Sequence, residues 1–273
     1  MAEALARVRE TTPLVHNITN YVTVNDCANI LLACGGSPIM ADDIEEVEDI
    51  TSICQALVIN IGTLNQRTIA SMIKAGKKAN QLGHPVILDP VGAGASHLRT
   101  GSVFKLLQEV RFDVVRGNVS EIMTVNSGAG STKGVDASAD DRALHQNTGR
   151  AIDLGRQLSR KVGAITVTTG AVDIVADPAN AFVIRNGHPF LGKVSGTGCM
   201  LSAMIGAFCG ANLDRRLEAT AAAVCMMGIA GELAYEKTEK YQGGTAAFKI
   251  HLIDAMSQID ENILKARTRI ESR

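Results

Sequence analysis

The segment Val194-Ser195-Gly196-Thr197-Gly198-Cys199 runs directly into the apolar stretch Met200–Cys209. Glycines ahead of a helical run let the backbone approach a ligand closely, and the helix start offers unpaired N–H groups with a partial positive charge. Such a pocket suits the equatorial oxygens of a phosphoryl group in transfer. Gly196 and Gly198 would supply the close approach, and the Thr197 hydroxyl an extra donor. Cys199 falls in the first helical turn, where the dipole is expected to lower a thiol pKa from its free value of about 8.5. The Lys-Ser/Thr ending of a P-loop is missing. Taken alone, the segment reads equally well as a tight turn followed by a packed thiol.

Other constellations stand at the ends of strand-like runs. Asp89-Pro90-Val91-Gly92-Ala93-Gly94 follows the apolar run Pro85–Leu88, and ligands of open parallel sheets gather outside the carboxyl ends of strands. His97 occupies the third glycine position of a dinucleotide fingerprint, which disfavours a dehydrogenase. Asp89 suits a magnesium–phosphate cluster, or simply a turn whose N–H groups it accepts. In Arg116-Gly117-Asn118-Val119-Ser120-Glu121, Asn118 and Glu121 have capping-box spacing. Arg116 also suits a nucleotide phosphate, and Glu121 the water shell of a metal. Thr166-Val167-Thr168-Thr169-Gly170 puts hydroxyls at another strand end, although Thr is a favoured strand residue in any case. Near the N-terminus, His16, Asn17, Thr19 and Asn20 cluster where the first strand meets its helix, and Met40 ends the next strand. The plainer readings are a helix cap for Asn20, a satisfied core histidine for His16 and core packing for Met40.

The elements that must position these residues alternate. Strands are expected at Leu14–Ile18, Ser37–Ala41, Ala56–Ile61, Pro85–Asp89, Phe112–Arg116 and Ala164–Thr168, several of them apolar throughout, as strands covered on both faces are. Helices are expected at Thr19–Ala33, Glu45–Ile53, Gln66–Leu82 and Asp141–Lys161, which implies a mostly parallel sheet between two helical layers. Val172–Ala176 and Ala181–Arg185 read as an added hairpin. Long helical stretches follow at Cys199–Glu236 and Thr245–Arg267, and Ser127–Asp140 is the one long polar loop. Nothing splits the chain, so a single domain over residues 1–273 is expected.

Composition narrows the function. The 273 residues are 46% hydrophobic and 20% charged, with a formal net charge of −1, which gives no field for nucleic acid or an anionic membrane. Without Trp and with 3% aromatics, stacking platforms for single strands are scarce. The six cysteines include no C-x-x-C pair, so a zinc ribbon or thioredoxin-type site finds no support. No secretory signal is visible, and the uncharged helical stretches near Cys199–Asn212 and Ala219–Gly231 fall short of the roughly 18–20 residues of a membrane span. A reduced, cytoplasmic protein with no membrane partner is expected.

Together the segments resemble the hydroxyethylthiazole kinase family of thiamine salvage, from Leu5 to about Lys265. The resemblance is carried by Val15-His16-Asn17-Ile18-Thr19-Asn20, Ser37-Pro38-Ile39-Met40, Asn60-Ile61-Gly62-Thr63-Leu64, Asp89–Gly94, Arg116-Gly117-Asn118, Lys133-Gly134-Val135-Asp136 and Gly196–Cys199, in that order. It implies a three-layer α/β/α ribokinase-like fold, ATP as co-substrate, Mg2+, and a homotrimer with active sites between subunits. It also implies that Met40 and Gly196, with Asn20 beside them, are substrate positions, that Arg116 and Thr169 bind ATP, and that Asp89 with Glu121 is the magnesium-side acidic pair. Cys199 stands where sugar kinases of the wider fold carry a catalytic Asp. Kinases for pyrimidine, pyridoxal or sugar alcohols, and an ADP-dependent hydrate dehydratase, would be expected to carry Asp there. A non-catalytic ligand-binding protein fits less well with Asp89, Glu121 and Cys199 all present.

Overall fold

The computed structural model describes residues 1–128 and 147–273. Its strands are β1 (Leu14–Ile18), β2 (Ser37–Met40), β3 (Ala56–Asn60), β4 (Val86–Asp89), β5 (Val114–Asn118), β6 (Ile165–Thr169), β7 (Asp173–Ala176), β8 (Ala181–Ile184) and β9 (Ile270–Ser272). They form one sheet in the order β2-β1-β3-β4-β5-β6-β7-β8-β9. Pairing is parallel through β6 and antiparallel from β6 to β9. The expected hairpin is β7–β8. The three-residue β9 completes it, and no sequence pattern announced that strand.

Helices α1 (Ala2–Thr11), α2 (Val24–Cys34), α3 (Val47–Ile53), α4 (Gln66–Leu82), α5 (His97–Glu109), α6 (Val119–Ser127) and α7 (Thr148–Val162) are followed by α8 (Thr197–Ala211), α9 (Arg216–Lys240), α10 (Thr245–Gln258) and α11 (Glu261–Arg267). The two faces of the sheet divide the helices by the period-2 alternation of strand side chains. Val15, Val58, Ile87, Val114 and Val167 pack with Met204 and Ala207 of α8 in one core. Leu57, Ile59, Val86, Leu88 and Val115 pack with Met72 of α4, Leu106 of α5, Ile122 of α6 and Leu158 of α7 in the other. Each such fully buried side chain contributes about 1.5–3 kcal/mol. The result is the α/β/α sandwich that the alternation predicts.

Helix α8 lies so close to the sheet that a Cβ on Gly206 would stand 2.8 Å from Val58 Cγ2 and 2.9 Å from Val15 Cγ1. Met200 through Cys209 are all buried. Helix α9 is longer than the sequence reading allowed. It has 25 residues, and an 18-residue window within it, of mean hydropathy 1.4, passes the length and composition test for a membrane span, but 78% of that window is buried. It is a core helix.

Several expected boundaries shift. The helix expected from Thr19 begins at Val24, because Thr23 Oγ1 donates to Asn20 Oδ1 and Thr23 N–H to the Asn20 carbonyl, closing a turn instead. The stretch Cys199–Glu236 is two helices. Asn212 ends α8 by donating its side-chain amide to the Phe208 and Ala4 carbonyls. The stretch Thr245–Arg267 breaks likewise, at Asp260, whose carboxylate caps α11. Residues 129–146, which carry Lys133–Asp136, most of the expected polar loop and the expected start of the Asp141–Lys161 helix, lie outside the described residues.

Candidate active site

Parallel register brings the carboxyl ends of the strands level. Asn60 of β3 pairs with Asp89 of β4, and Asn118 of β5 pairs with Thr169 of β6. Helix α8 starts above them. At this edge a buried polar cluster joins four elements. Asn60 Nδ2 donates to Asp89 Oδ2 at 2.8 Å and to Cys199 Sγ at 3.2 Å. Asn60 Oδ1 accepts the Asn20 amide at 3.0 Å and the Gly62 N–H at 2.9 Å. Asn20 Nδ2 also reaches Cys199 Sγ, at 3.3 Å. Ser202, one turn further along α8, donates to Asp89 Oδ2 at 2.8 Å. All four hydrogen-bonding positions of the Asn60 amide are therefore used. Sequence reading missed both Asn60 and Ser202. A visible signal was the single polar residue ending the otherwise apolar Ala56–Ile59.

Asp89 is fully buried, and its Oδ1 has no hydrogen-bond partner among the described residues, with Arg116 Nη1 3.6 Å away. Burial raises its carboxyl pKa despite Arg116, Ser202 and Asn60. Glu121 makes the predicted capping box, with its Oε2 accepting the Asn118 N–H at 2.8 Å. Its Oε1 accepts the Gly92 N–H, also at 2.8 Å, tying this motif to the Asp89 turn. Burial and then the charge of Asp89 raise the Glu121 pKa. The capping-box reading of Glu121 thus holds, and its second oxygen is spent on a backbone N–H of the neighbouring turn. Arg99, also missed, braces the same turn by donating to the carbonyls of Val91 and Gly62 at 2.5 and 2.6 Å.

Two buried carboxylates, one of which raises the other's cost of ionisation, suit a cation between or beside them. No cluster of three His, Cys, Asp or Glu exists among the described residues. Mg2+ is commonly held by one or two carboxylates, with water and substrate phosphate oxygens completing its shell. The donorless Asp89 Oδ1 is the atom such a shell would use.

Gly196 caps α8 with φ +91° and no side-chain hydrogen bond. That conformation favours glycine, and a Cβ there would stand 2.6 Å from Thr23 Cγ2. A Cβ on Gly198 would stand 2.5 Å from Arg116 Nη1, so the guanidinium lies directly against the turn. The Thr197 hydroxyl donates to the Leu191 carbonyl at 3.0 Å. It is committed to the fold rather than free as an extra donor, which corrects the sequence expectation. The Cys199 thiol also differs from expectation. Burial, then the charge of Asp89, raises its pKa, and Thr23, Arg116 and Asn20 only partly oppose that. Loss of solvent outweighs the helix dipole.

Beside the turn lies a cavity of about 500 Å³ whose lining includes Arg116, Thr169, Asp173, Thr197, Gly198, Val224 and Met227. Arg116 Nη2 donates to Thr169 Oγ1 at 2.8 Å, so the two expected ATP positions meet on its wall. Gly196, Cys199, Asn20 and Met40 are not part of that wall. Met40 is half-buried at the end of β2, in register with Asn17 of β1. His16 is a satisfied core histidine whose ring nitrogens meet Thr51 Oγ1 at 2.9 Å and the Ala41 carbonyl at 2.8 Å.

Comparison with known proteins agrees with this geometry. A family model described as the hydroxyethylthiazole kinase family matches residues 5–262. A hydroxyethylthiazole kinase of Clostridium acetobutylicum is 56% identical over 272 residues, covering 100% of this chain and 99% of that one. Another, from Clostridium beijerinckii, is 52% identical over 98% of this chain and 95% of its own length. The solved hydroxyethylthiazole kinase of Pyrococcus horikoshii superposes with a TM-score of 0.88 at 39% identity, covering 100% of this chain and 98% of that one. A pyridoxal kinase from Staphylococcus aureus, covering 95% of this chain and 97% of its own, reaches 0.59 at 13% identity and shares the fold alone.

Proposed function

The chain belongs to the hydroxyethylthiazole kinase family, and we propose that its chemistry runs at the turn Gly196-Thr197-Gly198 and at Cys199. The reaction is phosphorylation of the side-chain hydroxyl of hydroxyethylthiazole, with ATP as phosphoryl donor. In our reading the thiazole phosphate serves thiamine phosphate synthesis in the cytoplasm.

Phosphoryl transfer passes through a loose transition state, so catalysis rests on positioning and on stabilising charge at the equatorial oxygens. The observation that carries the proposal is the open start of α8 with Arg116 packed against Gly198. Backbone N–H groups of the turn and the Arg116 guanidinium would face those oxygens. Thr169, bonded to Arg116, would hold the ATP side within the cavity, and Asp89 with Glu121 would hold Mg2+. When bound, that ion supplies charge neutralisation of the phosphates. Met40, Gly196 and Asn20 would hold the thiazole on the other side of the turn. Cys199 would take the alcohol proton late, through the minor thiolate fraction that its raised pKa leaves, which suffices where the demand for a base is weak. Asn20 and Asn60 fix its sulfur by their two N–H bonds.

Next to Asn20, Tyr21 and Val22 are 79% and 60% exposed. These side chains suit cover by a neighbouring subunit, in keeping with a homotrimer whose sites lie between subunits and with one kinase domain spanning the chain. A coupled ADP-release assay should show turnover of 5-(2-hydroxyethyl)-4-methylthiazole and little of the hydroxymethylpyrimidine or pyridoxal. Strong turnover of the pyrimidine with none of the thiazole would reject the substrate assignment.

A further inference from the structure

Polar side chains line the cavity beside Arg116, and most of them are already occupied. Asn186 Nδ2 donates to Glu232 and to the Arg267 carbonyl, while its Oδ1 accepts from Cys225 and from the Arg269 N–H. Thr197 is held by Leu191, and Thr169 by Arg116 and the Gly117 carbonyl. His188 accepts the Phe190 N–H on Nδ1 and stacks on Tyr235 at 3.6 Å. Asp173 is the exception on the acceptor side. Its Oδ1 accepts the Gly170 N–H at 2.8 Å, and its Oδ2 has no hydrogen-bond donor among the described residues.

A carboxylate on the wall of a site for a polyphosphate is repelled by the phosphates. It is useful there only where the ligand presents a neutral donor. Asp173 opens β7, four residues beyond Thr169, and it feels the charge of Arg116. It therefore stands toward the phosphate end of the cavity. The lining also includes Leu201, Val224 and Met227, which offer an apolar bed for a flat base. In a nucleoside triphosphate, what lies between base and phosphates is the ribose, with two hydroxyl donors. Burial raises the Asp173 carboxyl to about 7, although Gly170 and Arg116 pull it down. The carboxylate is half-buried, and its second oxygen keeps lone pairs that a hydroxyl can fill.

We propose that the free oxygen of Asp173 accepts a ribose hydroxyl of the nucleotide, and that this bond makes the enzyme select ribonucleotides over their deoxy analogues. The inference rests on the cavity being the ATP site. Removing a hydroxyl from a ligand whose site is built to bond it leaves that acceptor without its partner, and such sites discriminate.

The test compares steady-state kcat and KM for ATP, 2′-deoxy-ATP, 3′-deoxy-ATP and ITP in the wild type, Asp173→Asn and Asp173→Ala. The wild type should disfavour one of the two deoxynucleotides by about tenfold or more in kcat/KM. Asp173→Ala should bring that ratio to within about twofold of unity, mainly through KM for ATP. Asp173→Asn keeps an oxygen for Gly170 and should fall between the two. Equal losses on ATP and both deoxynucleotides would overturn the inference, as would a change in the ATP/ITP ratio in place of the ribose ratio. Thr169→Ala separates the two levels. If it raises KM for ATP while Asp173→Ala alters nothing, the ribose contact alone is wrong. If neither variant changes any nucleotide parameter, the cavity assignment falls with it.

Discussion

Helices α6 and α8 both begin at the carboxyl edge of the sheet, within reach of Arg116, and their first turns are built in opposite ways. Helix α6 closes itself. Asn118 Oδ1 takes the Glu121 N–H and Glu121 Oε2 takes the Asn118 N–H, each at 2.8 Å. Helix α8 has Gly196 at the same position, with no side chain to offer and with φ +91°. The first start ties up two of its N–H groups by its own side chains and spends Glu121 Oε1 on a neighbouring turn. The second leaves its donors for whatever anion arrives. Two helix starts on one edge of one sheet thus differ in how far side chains close them, and under the proposed function the closed one is structural and the open one chemical.

The largest effect should come from closing the open start. In Gly198→Ala the new methyl would meet Arg116 at 2.5 Å from Nη1 and 2.7 Å from Nη2, displacing the guanidinium and crowding the phosphoryl oxygens together. Loss of one preorganised donor typically costs about 10²–10³ in kcat, and that is the expected range. Cys199→Ser should cost less, roughly 10–100-fold, since a late proton transfer leaves the base a modest role. Steady-state kcat on the thiazole alcohol ranks the two. An inactive Cys199→Ser beside an intact Gly198→Ala would reverse the assignment of α8 from anion site to base platform.

The same thiol gives a smaller, independent readout. Burial and Asp89 raise the Cys199 pKa, so its thiolate forms only above the range in which a free thiol, near about 8.5, titrates. Iodoacetamide should therefore label Cys199 more slowly than a free thiol at neutral pH, and the rate should climb with pH beyond that range. The other five cysteines are buried, so mass spectrometry should find Cys199 labelled first. Rapid labelling at neutral pH would mean that the dipole of α8 dominates its environment after all.

What was legible in the sequence follows the same division. Apolar runs such as Ala56–Ile59 disclose buried strands, because a strand covered on both faces has no polar side to show. The residues at their ends, Asp89, Arg116, Glu121 and Thr169, were found because parallel register makes strand ends meet. The fate of Cys199 was not legible. Its pKa depends on solvent exclusion and on Asp89, which is 110 positions away in sequence and reaches it only through folding. Asn60 and Ser202 each read as an ordinary strand end and an ordinary helix residue until β3, β4 and α8 are brought together. Helix α2 began late for a related reason: the Asn20–Thr23 turn takes residues that local propensity alone would give to a helix.

The closed start supplies the smallest and most discriminating test. Asn118→Ala removes the acceptor for the Glu121 N–H and loosens the box, and a lost cap typically costs about 1 kcal/mol. In a chain of this size that lowers Tm by roughly 2–4 °C. Glu121 keeps its bond to the Gly92 N–H through Oε1, so it stays near Asp89, and kcat should fall by less than about tenfold. Thermal unfolding and kinetics on the same preparation measure both. If Asn118→Ala left Tm unchanged but removed activity, its amide would be serving ligand rather than helix. Helix α6 would then be a second open start, and the contrast with α8 would be lost.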